Sequence, residues 1–318
     1  MAIPASFEGK LKIPAVAAPM FLVSTPELVI EACRGGVVGT FPALNQRTSE
    51  GFEEWLDQIQ SALAADDIET PFGVNLIVHR SNPRLQADLE ICIKKKVPLI
   101  ITSLGAVADL VDAVHGYGGI VFHDVIMLRH AKKAAAAGVD GLIAVCAGAG
   151  GHAGHTNPLA LVQEIRSFYQ GTILLSGTIS NGAQIAAAQA MGADLAYLGT
   201  RFINTKESAA PEDFQNMICD SSAADIVYTS AVSGVHANFL AQSLVNNGFD
   251  LDALTGLGGE VELKGISDEA RVWKTVWSAG QGVGAINDSP STVELCKRLR
   301  DEYFEAIDEL SIKSETFK

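Results

Sequence analysis

The stretch of this chain richest in reactive side chains is CAGAGGHAGHTNP, residues 146–158, where Gly148, Gly150, Gly151 and Gly154 surround two histidines, His152 and His155. Glycines at that density let a backbone pass close to a flat ligand and hold a neighbouring side chain over it. An imidazole near its unperturbed pKa of about 6.5 can take a proton from a carbon acid at neutral pH, so His152 reads as a general base. A lone loop histidine is more often simply hydrogen-bonded to backbone; the glycine-rich setting tips the balance here. His155 is the weaker candidate, because Thr156 and Asn157 read as a cap for a helix starting near Pro158.

Two other turns are built of small residues: SGTISNG at 176–182 and GTRF at 199–202. Backbone N–H groups at such turns bind phosphate through exposed donors and the helix dipole, with no Lys or Arg required. Either segment alone is an ordinary tight turn, whereas the pair at successive strand ends reads as a phosphate cradle. Upstream, AAPM at 17–20 brings small residues and the rigid Pro19 beside Met20, and Asn75 inside FGVNL brings an amide that needs partners if buried. No GxGxxG follows a strand and no GxxxxGK[ST] occurs, so one mononucleotide is a simpler inference than a dinucleotide or a P-loop ligand.

Side chains at strand ends need strands to hold them. Short apolar or β-branched runs at 14–18, 36–41, 72–77, 98–102, 119–123, 141–145, 172–176 and 195–199 alternate with helical stretches. The helical signals include TPELVIEACRGG with its glycine stop, SEGFEEWLDQIQSALAA opening at Ser49, and NGAQIAAAQAMGA ending at Gly192. Eight strand–helix units over some 200 residues predict an α/β fold, a TIM (β/α)8 barrel rather than a doubly wound sheet. The rhythm breaks after residue 206. Residues 207–263 are expected to form a smaller helical capping subdomain, and 264–318 a tail ending in a charged amphipathic helix on the barrel made by 1–206.

Composition removes other classes. With 37 Asp+Glu against 23 Lys+Arg the net charge is −14, which supplies no basic surface for nucleic acid. The five cysteines are scattered without a CxxC pair, so neither a disulfide framework, a zinc site nor any other metal is expected. No apolar run approaches membrane-spanning length and the N-terminus carries no signal pattern, so a soluble, unprocessed, cytoplasmic protein is expected.

In order, AAPM, FGVNL, AGGHAG, the SG turn, MGAD with LGTRF, and WSAGQG resemble the nitronate monooxygenases, formerly called 2-nitropropane dioxygenases, over nearly the whole chain. The resemblance implies flavin mononucleotide (FMN) as cofactor and His152 as catalytic base. It also implies Pro19, Met20, Asn75, Gly150, Gly151, Ser176, Gly177, Thr178, Gly199, Thr200 and Gln281 as flavin neighbours, with Gly177, Thr178, Gly199 and Thr200 around the phosphate. Two positions depart from the family pattern. The seventh-strand turn is Ser-Gly-Thr where Ser-Gly-Gly is frequent, and Asp124 stands where some relatives carry a basic residue. Asp124 could orient His152, repel anionic substrates, or cap a helix at Val125. His236 and Asn238, in SGVHANFLAQSL, are further residues that could approach the substrate side.

The implied reaction is oxidation of an alkyl nitronate, or of a nitroalkane after deprotonation by His152, with O2 to a carbonyl compound and nitrite. The partners implied are that small molecule and O2, with a homodimer as a further expectation. The competing readings are an NAD(P)H-dependent flavin reductase of quinones or enoyl thioesters on the same barrel, and a non-catalytic ligand-binding barrel.

Overall fold

The computed structural model describes residues 2–105, 108–255 and 274–318. Eight parallel strands close into a barrel: β1 (Ala15–Ala17), β2 (Val38–Pro42), β3 (Phe72–Ile77), β4 (Leu99–Ser103), β5 (Ile120–Val125), β6 (Gly141–Val145), β8 (Thr172–Ser176) and β9 (Leu195–Leu198). Closure comes from β1 pairing with β9 through Ala15↔Ala196, Val16↔Tyr197 and Ala17↔Leu198. This is the expected TIM barrel. Strand β7 (Gly151–His152) stands outside it.

Helices α1 (Pro26–Arg34), α2 (Ser49–Ala65), α3 (Leu85–Lys94), α4 (Ala108–His115), α5 (Leu128–Ala136), α6 (Pro158–Arg166) and α7 (Gly182–Ala190) return the chain between strands. Their caps are mostly legible: Thr25 caps α1, Asn157 caps α6 and Asn181 caps α7, each accepting from a first-turn N–H. Helix α2 departs from the reading by one residue. Its cap is Thr48, which accepts from Gly51 N–H, while the Ser49 hydroxyl turns away to donate to Asp88.

Strand alternation creates two apolar layers. Val16, Val38, Leu99, Ile101, Phe122, Ile143, Leu174 and Leu195 fill the barrel interior, and the opposite parity packs against the helices. A short 3-10 turn, Ala5–Phe7, inserts Phe7 among the interior residues, 6.0 Å from the Phe122 ring and edge-on to it. Complete burial of such a ring contributes about 2–3 kcal/mol. Chemistry is left to the opposite, C-terminal mouth.

Beyond the barrel come α8 (Thr200–Ile203), α9 (Glu212–Cys219), β10 (Ile226–Thr229), β11 (Ala237–Leu240), α10 (Ala241–Asn246), α11 (Leu251–Thr255) and α12 (Thr292–Glu315). The expectation of a helical 207–263 segment is corrected here: β10, β11 and β7 form a three-stranded antiparallel sheet. Its long-range pairing, Ala237↔His152 and Asn238↔Gly151, has no local signature in the helix-like sequence around it. The expected boundary at 263/264 lies outside the described residues. The first half of α12 packs on the barrel exterior beside α1 and α7, burying Leu295, Cys296 and Leu299, as the tail was expected to do.

Candidate active site

A cavity of about 630 Å³ opens at the C-terminal mouth, within the range of about 300–1,000 Å³ common for small-molecule sites. Its wall includes Pro19, Met20, Asn75, Gly150, Gly151, His152, Ser176, Gly177, Thr178, Gly199 and Thr200. Gln281 is the exception. It is exposed at the rim, and its backbone N–H donates to Gly148 O at 2.9 Å.

One half of the wall is backbone. Gly148 has a φ of +83°, and a Cβ there would stand 2.4 Å from the Thr178 hydroxyl. A Cβ on Gly150 would lie 2.9 Å from Gly280 N and 3.1 Å from Thr200 Oγ1. The glycines therefore let the loop after β6 close against the turns after β8 and β9, as well as leaving room for a ligand. Thr178 itself sits at φ +62°, a left-handed conformation unfavourable for a β-branched residue and natural for glycine.

Three N–H groups at the start of α7 are already engaged. Ser180 N–H donates to Gln184 Oε1, Gly182 N–H to Glu302 Oε2, and Gln184 N–H to Asn181 Oδ1. The 177–178 and 199–200 turns line this end of the cavity.

The other half is made of side chains. Asn75, Ser103 and Asp124 occupy inward positions at the ends of neighbouring strands β3, β4 and β5. Asn75 Nδ2 donates to Ile101 O (3.2 Å) and Ser103 Oγ (2.8 Å), and Ser103 Oγ donates to Asp124 Oδ2 at 2.6 Å. Asp124 Oδ1 is buried with no hydrogen-bond partner among the described residues. Burial pushes the Asp124 carboxyl up to about 6, outweighing the Ser103 hydrogen bond that acts the other way. Burial also holds the Tyr197 phenol far above its usual range, with the nearby Asp124 charge adding to the effect. The helix-cap reading of Asp124 is overturned: β5 runs on to Val125 and α5 begins only at Leu128, with Met127 at its cap.

His152 is anchored by backbone. Strand β7 pairs with β11, Gly151 N–H donates to Ser278 Oγ at 2.6 Å, Asn238 Nδ2 donates to Ala149 O at 2.7 Å, and Tyr228 OH donates to Ala153 O at 2.9 Å. Desolvation lowers the imidazole's pKa, which favours the neutral, proton-accepting form. His155 is exposed and off the cavity wall. His236 and Asn238 are also off the wall: His236 packs its ring on Tyr228 with centroids 5.0 Å apart, and Asn238 braces the loop beneath His152.

Sequence reasoning missed Ser103, Tyr197, Phe214 and Trp277. Ser103 lay one residue beyond its expected strand, and inward parity would have flagged it. Phe214 and Trp277 stack with centroids 5.1 Å apart, lining the cavity from segments more than sixty residues distant in sequence, a pairing without local signal.

The nitronate monooxygenase family profile matches residues 7–302. This chain belongs to the nitronate monooxygenase family. The family is a group of oxidoreductases. A nitronate monooxygenase of Paraburkholderia phytofirmans is 24% identical, covering 93% of this chain and 94% of that protein. A sequence relative in Rhodococcus jostii, named as a 5-hydroxy-7a-methyl-1-oxo-octahydro-1H-indene-4-carboxyl-CoA dehydrogenase, is 28% identical over 74% of this chain and 64% of its own length. Among solved structures, a nitroalkane oxidase of Streptomyces ansochromogenes superposes with a TM-score of 0.82 at 22% identity, covering 96% of this chain and 100% of that one. FabK of Thermotoga maritima does so with a TM-score of 0.78 at 23% identity, covering 95% and 96%. At these identities the superpositions bear on the fold alone. Among the described residues of this family member, no helix is long and apolar enough to cross a membrane, and no cluster of three or more metal-ligating side chains occurs.

Proposed function

We propose that this protein is an FMN-dependent nitronate monooxygenase in which His152 is the general base. The observation that carries the reading is the placement of His152 on the wall of a cavity with glycine turns at one end and a polar strip at the other. The residues fit a flavin mononucleotide. The 177–178 and 199–200 turns suit its phosphate, and the buried, unpartnered Asp124 Oδ1 beside Asn75 suits a polar ring edge. Pro19, Met20, Gly150 and Gly151 would then flank the ring.

The chemistry a bound flavin supplies is oxidation of the nitronate, with O2 completing conversion to a carbonyl compound and nitrite. The protein's own part is to position a small substrate beside His152, hold the imidazole neutral, and accept the α-proton of a neutral nitroalkane. Apolar surfaces from Phe214, Trp277 and Ile203 would exclude water from that proton transfer.

The first test mixes the purified protein with an alkyl nitronate or propionate 3-nitronate in air, without NADH, and follows oxygen uptake with nitrite release. Stoichiometric nitrite with oxygen consumption supports the reading; a flavin-loaded protein inert to nitronates refutes it. His152→Asn is expected to lower turnover of neutral nitroalkanes by about 10²–10⁴-fold, while preformed nitronates lose less than about tenfold, since only the former need proton removal. The acid limb of nitroalkane turnover in the wild type should have its midpoint below about 6.5, because desolvation lowers the base's pKa. Equal loss on both substrates would sink the base assignment.

A second reading draws on the Rhodococcus jostii relative, whose name specifies a CoA thioester dehydrogenase. On that reading the cavity takes an acyl or enoyl thioester, or a quinone, and in the reductive direction, the reverse of a dehydrogenase, NAD(P)H would supply the electrons. Anaerobic NADH or NADPH oxidation dependent on such an acceptor would favour it.

A further inference from the structure

The wall of the cavity formed by β3, β4 and β5 has a hydrogen-bond polarity that can be read atom by atom. An amide has two N–H donors, and Asn75 spends both, on Ile101 O and Ser103 Oγ. Its carbonyl oxygen is what remains for a ligand. A hydroxyl has one proton, and Ser103 spends it on Asp124 Oδ2. Asp124 lines the cavity, and with Oδ2 engaged the oxygen it has left for a ligand is Oδ1, which is buried and has no hydrogen-bond partner among the described residues. The strip thus offers an acceptor, the Asn75 oxygen, and an Oδ1 whose character depends on whether the carboxyl holds its proton.

Resting on the flavin reading above, we propose that Asp124 binds the pyrimidine edge of the flavin as a neutral carboxylic acid, its Oδ1–H donating to a ring acceptor while the Asn75 oxygen accepts the neighbouring ring N–H. The phosphate-binding turns follow β8 and β9, on the far side of the barrel from β3–β5, so an extended mononucleotide anchored there presents the opposite end, its ring edge, to this strip. An edge of alternating carbonyl acceptors and an N–H donor matches acceptor and acid in turn. An ionised Asp124 would instead set the buried Oδ1 as an acceptor against a ring acceptor, which costs the desolvation of an unpaired charge. Burial at this position pushes the Asp124 carboxyl up to about 6, in the direction that favours the neutral acid. A carboxylic acid kept neutral by an apolar site so that it can donate is an established device.

The other groups facing this space are Tyr197 on β9, a phenol raised far out of range; His152 on β7, shifted toward its neutral form; Val145 on β6; and Lys274 at the mouth. The flavin phosphate has its own ionisation near pH 6. All of these are common to the wild type and an Asp124 variant, so the difference between the two isolates Asp124.

The test is fluorescence titration of FMN into flavin-stripped full-length protein from about pH 5.5 to about pH 8, for wild type, Asp124→Asn and Ser103→Ala. Asparagine keeps an oxygen for Ser103 and an N–H for the ring without a proton to lose. The wild-type Kd divided by the Asp124→Asn Kd should stay near one at about pH 5.5 and climb toward tenfold per pH unit above about pH 6 to 7. In Ser103→Ala the climb should begin at higher pH, because the hydrogen bond favouring the ionised form is gone. Asp124→Asn binding FMN weakly at every pH, or following the wild-type pH dependence, overturns the proposal while leaving FMN as cofactor. Absence of FMN binding by the wild type overturns both.

Discussion

The two halves of the cavity wall are made in different ways. On the β6, β8 and β9 side the surface is backbone, and its constraints are steric: Gly148, Gly150 and Gly177 lie where a side chain would collide with a neighbouring turn or adopt a left-handed φ. On the β3, β4 and β5 side the surface is three side chains in a hydrogen-bonded row, and its constraint is electrostatic, a buried carboxyl with one free oxygen. The comparison teaches where each half tolerates change. The glycine side should resist any added atom, whereas the polar side should accept isosteric changes and respond to pH.

The largest expected effect on the glycine side is that of Gly150→Ala. Its Cβ would meet Gly280 N, Ala279 C and Thr200 Oγ1 within 3.1 Å, so backbone must move. A loss of about 1–3 kcal/mol by urea unfolding is expected, with a marked fall in FMN affinity. Unchanged stability and affinity would show that the loop after β6 is not closed against Gly280.

Asp124→Asn sharpens the electrostatic side. A carboxyl raised from 3.8 to about 6 stabilises the fold by comparison with its ionised form: that contribution is complete below about pH 4 and is lost as pH rises through about 6. Flavin-free wild type should therefore lose stability relative to Asp124→Asn between about pH 4 and pH 7, by on the order of 2 kcal/mol. A difference that does not vary with pH would remove Asp124 from the list of buried acids.

The smallest effect is at Thr178, where φ is +62°. Relief of left-handed strain, about 1–2 kcal/mol, is partly offset by the greater unfolded-state entropy of glycine. Thr178→Gly should raise stability by about 0.5–1 kcal/mol in urea unfolding. A loss would mean that the threonine side chain contributes more through its contacts than its backbone strain costs.

Much of the fold was legible because its signals are local. The eight barrel strands appear within a residue or two of their β-branched runs, and Thr25, Asn157 and Asn181 cap their helices by side-chain chemistry contained within four residues. Most of the candidate site was legible for a related reason: barrels place strand-end residues at one mouth, so His152, Asn75 and the two small turns converge once the strands are counted. Gln281, reached only through resemblance, stands at the rim. Asp124 was misread as a possible cap because β5 was ended at residue 123, and two more residues of strand change an exposed cap into an inward acid.

What the sequence by itself determined is the period-two and helical rhythm that closes this barrel, and the glycine-rich stretch that holds a histidine at a strand end, because both are written in the types of near neighbours. What only the tertiary structure decided is contact between distant segments: β11 fastening His152 from residue 237, Trp277 stacking on Phe214, Phe7 entering the barrel beside Phe122, and Asn75, Ser103 and Asp124 joining across three strands. Those pairings depend on register and on which side of a strand each residue faces. Local propensity carries no information about the partner, since the free energy that selects it is gained only when both segments are desolvated together.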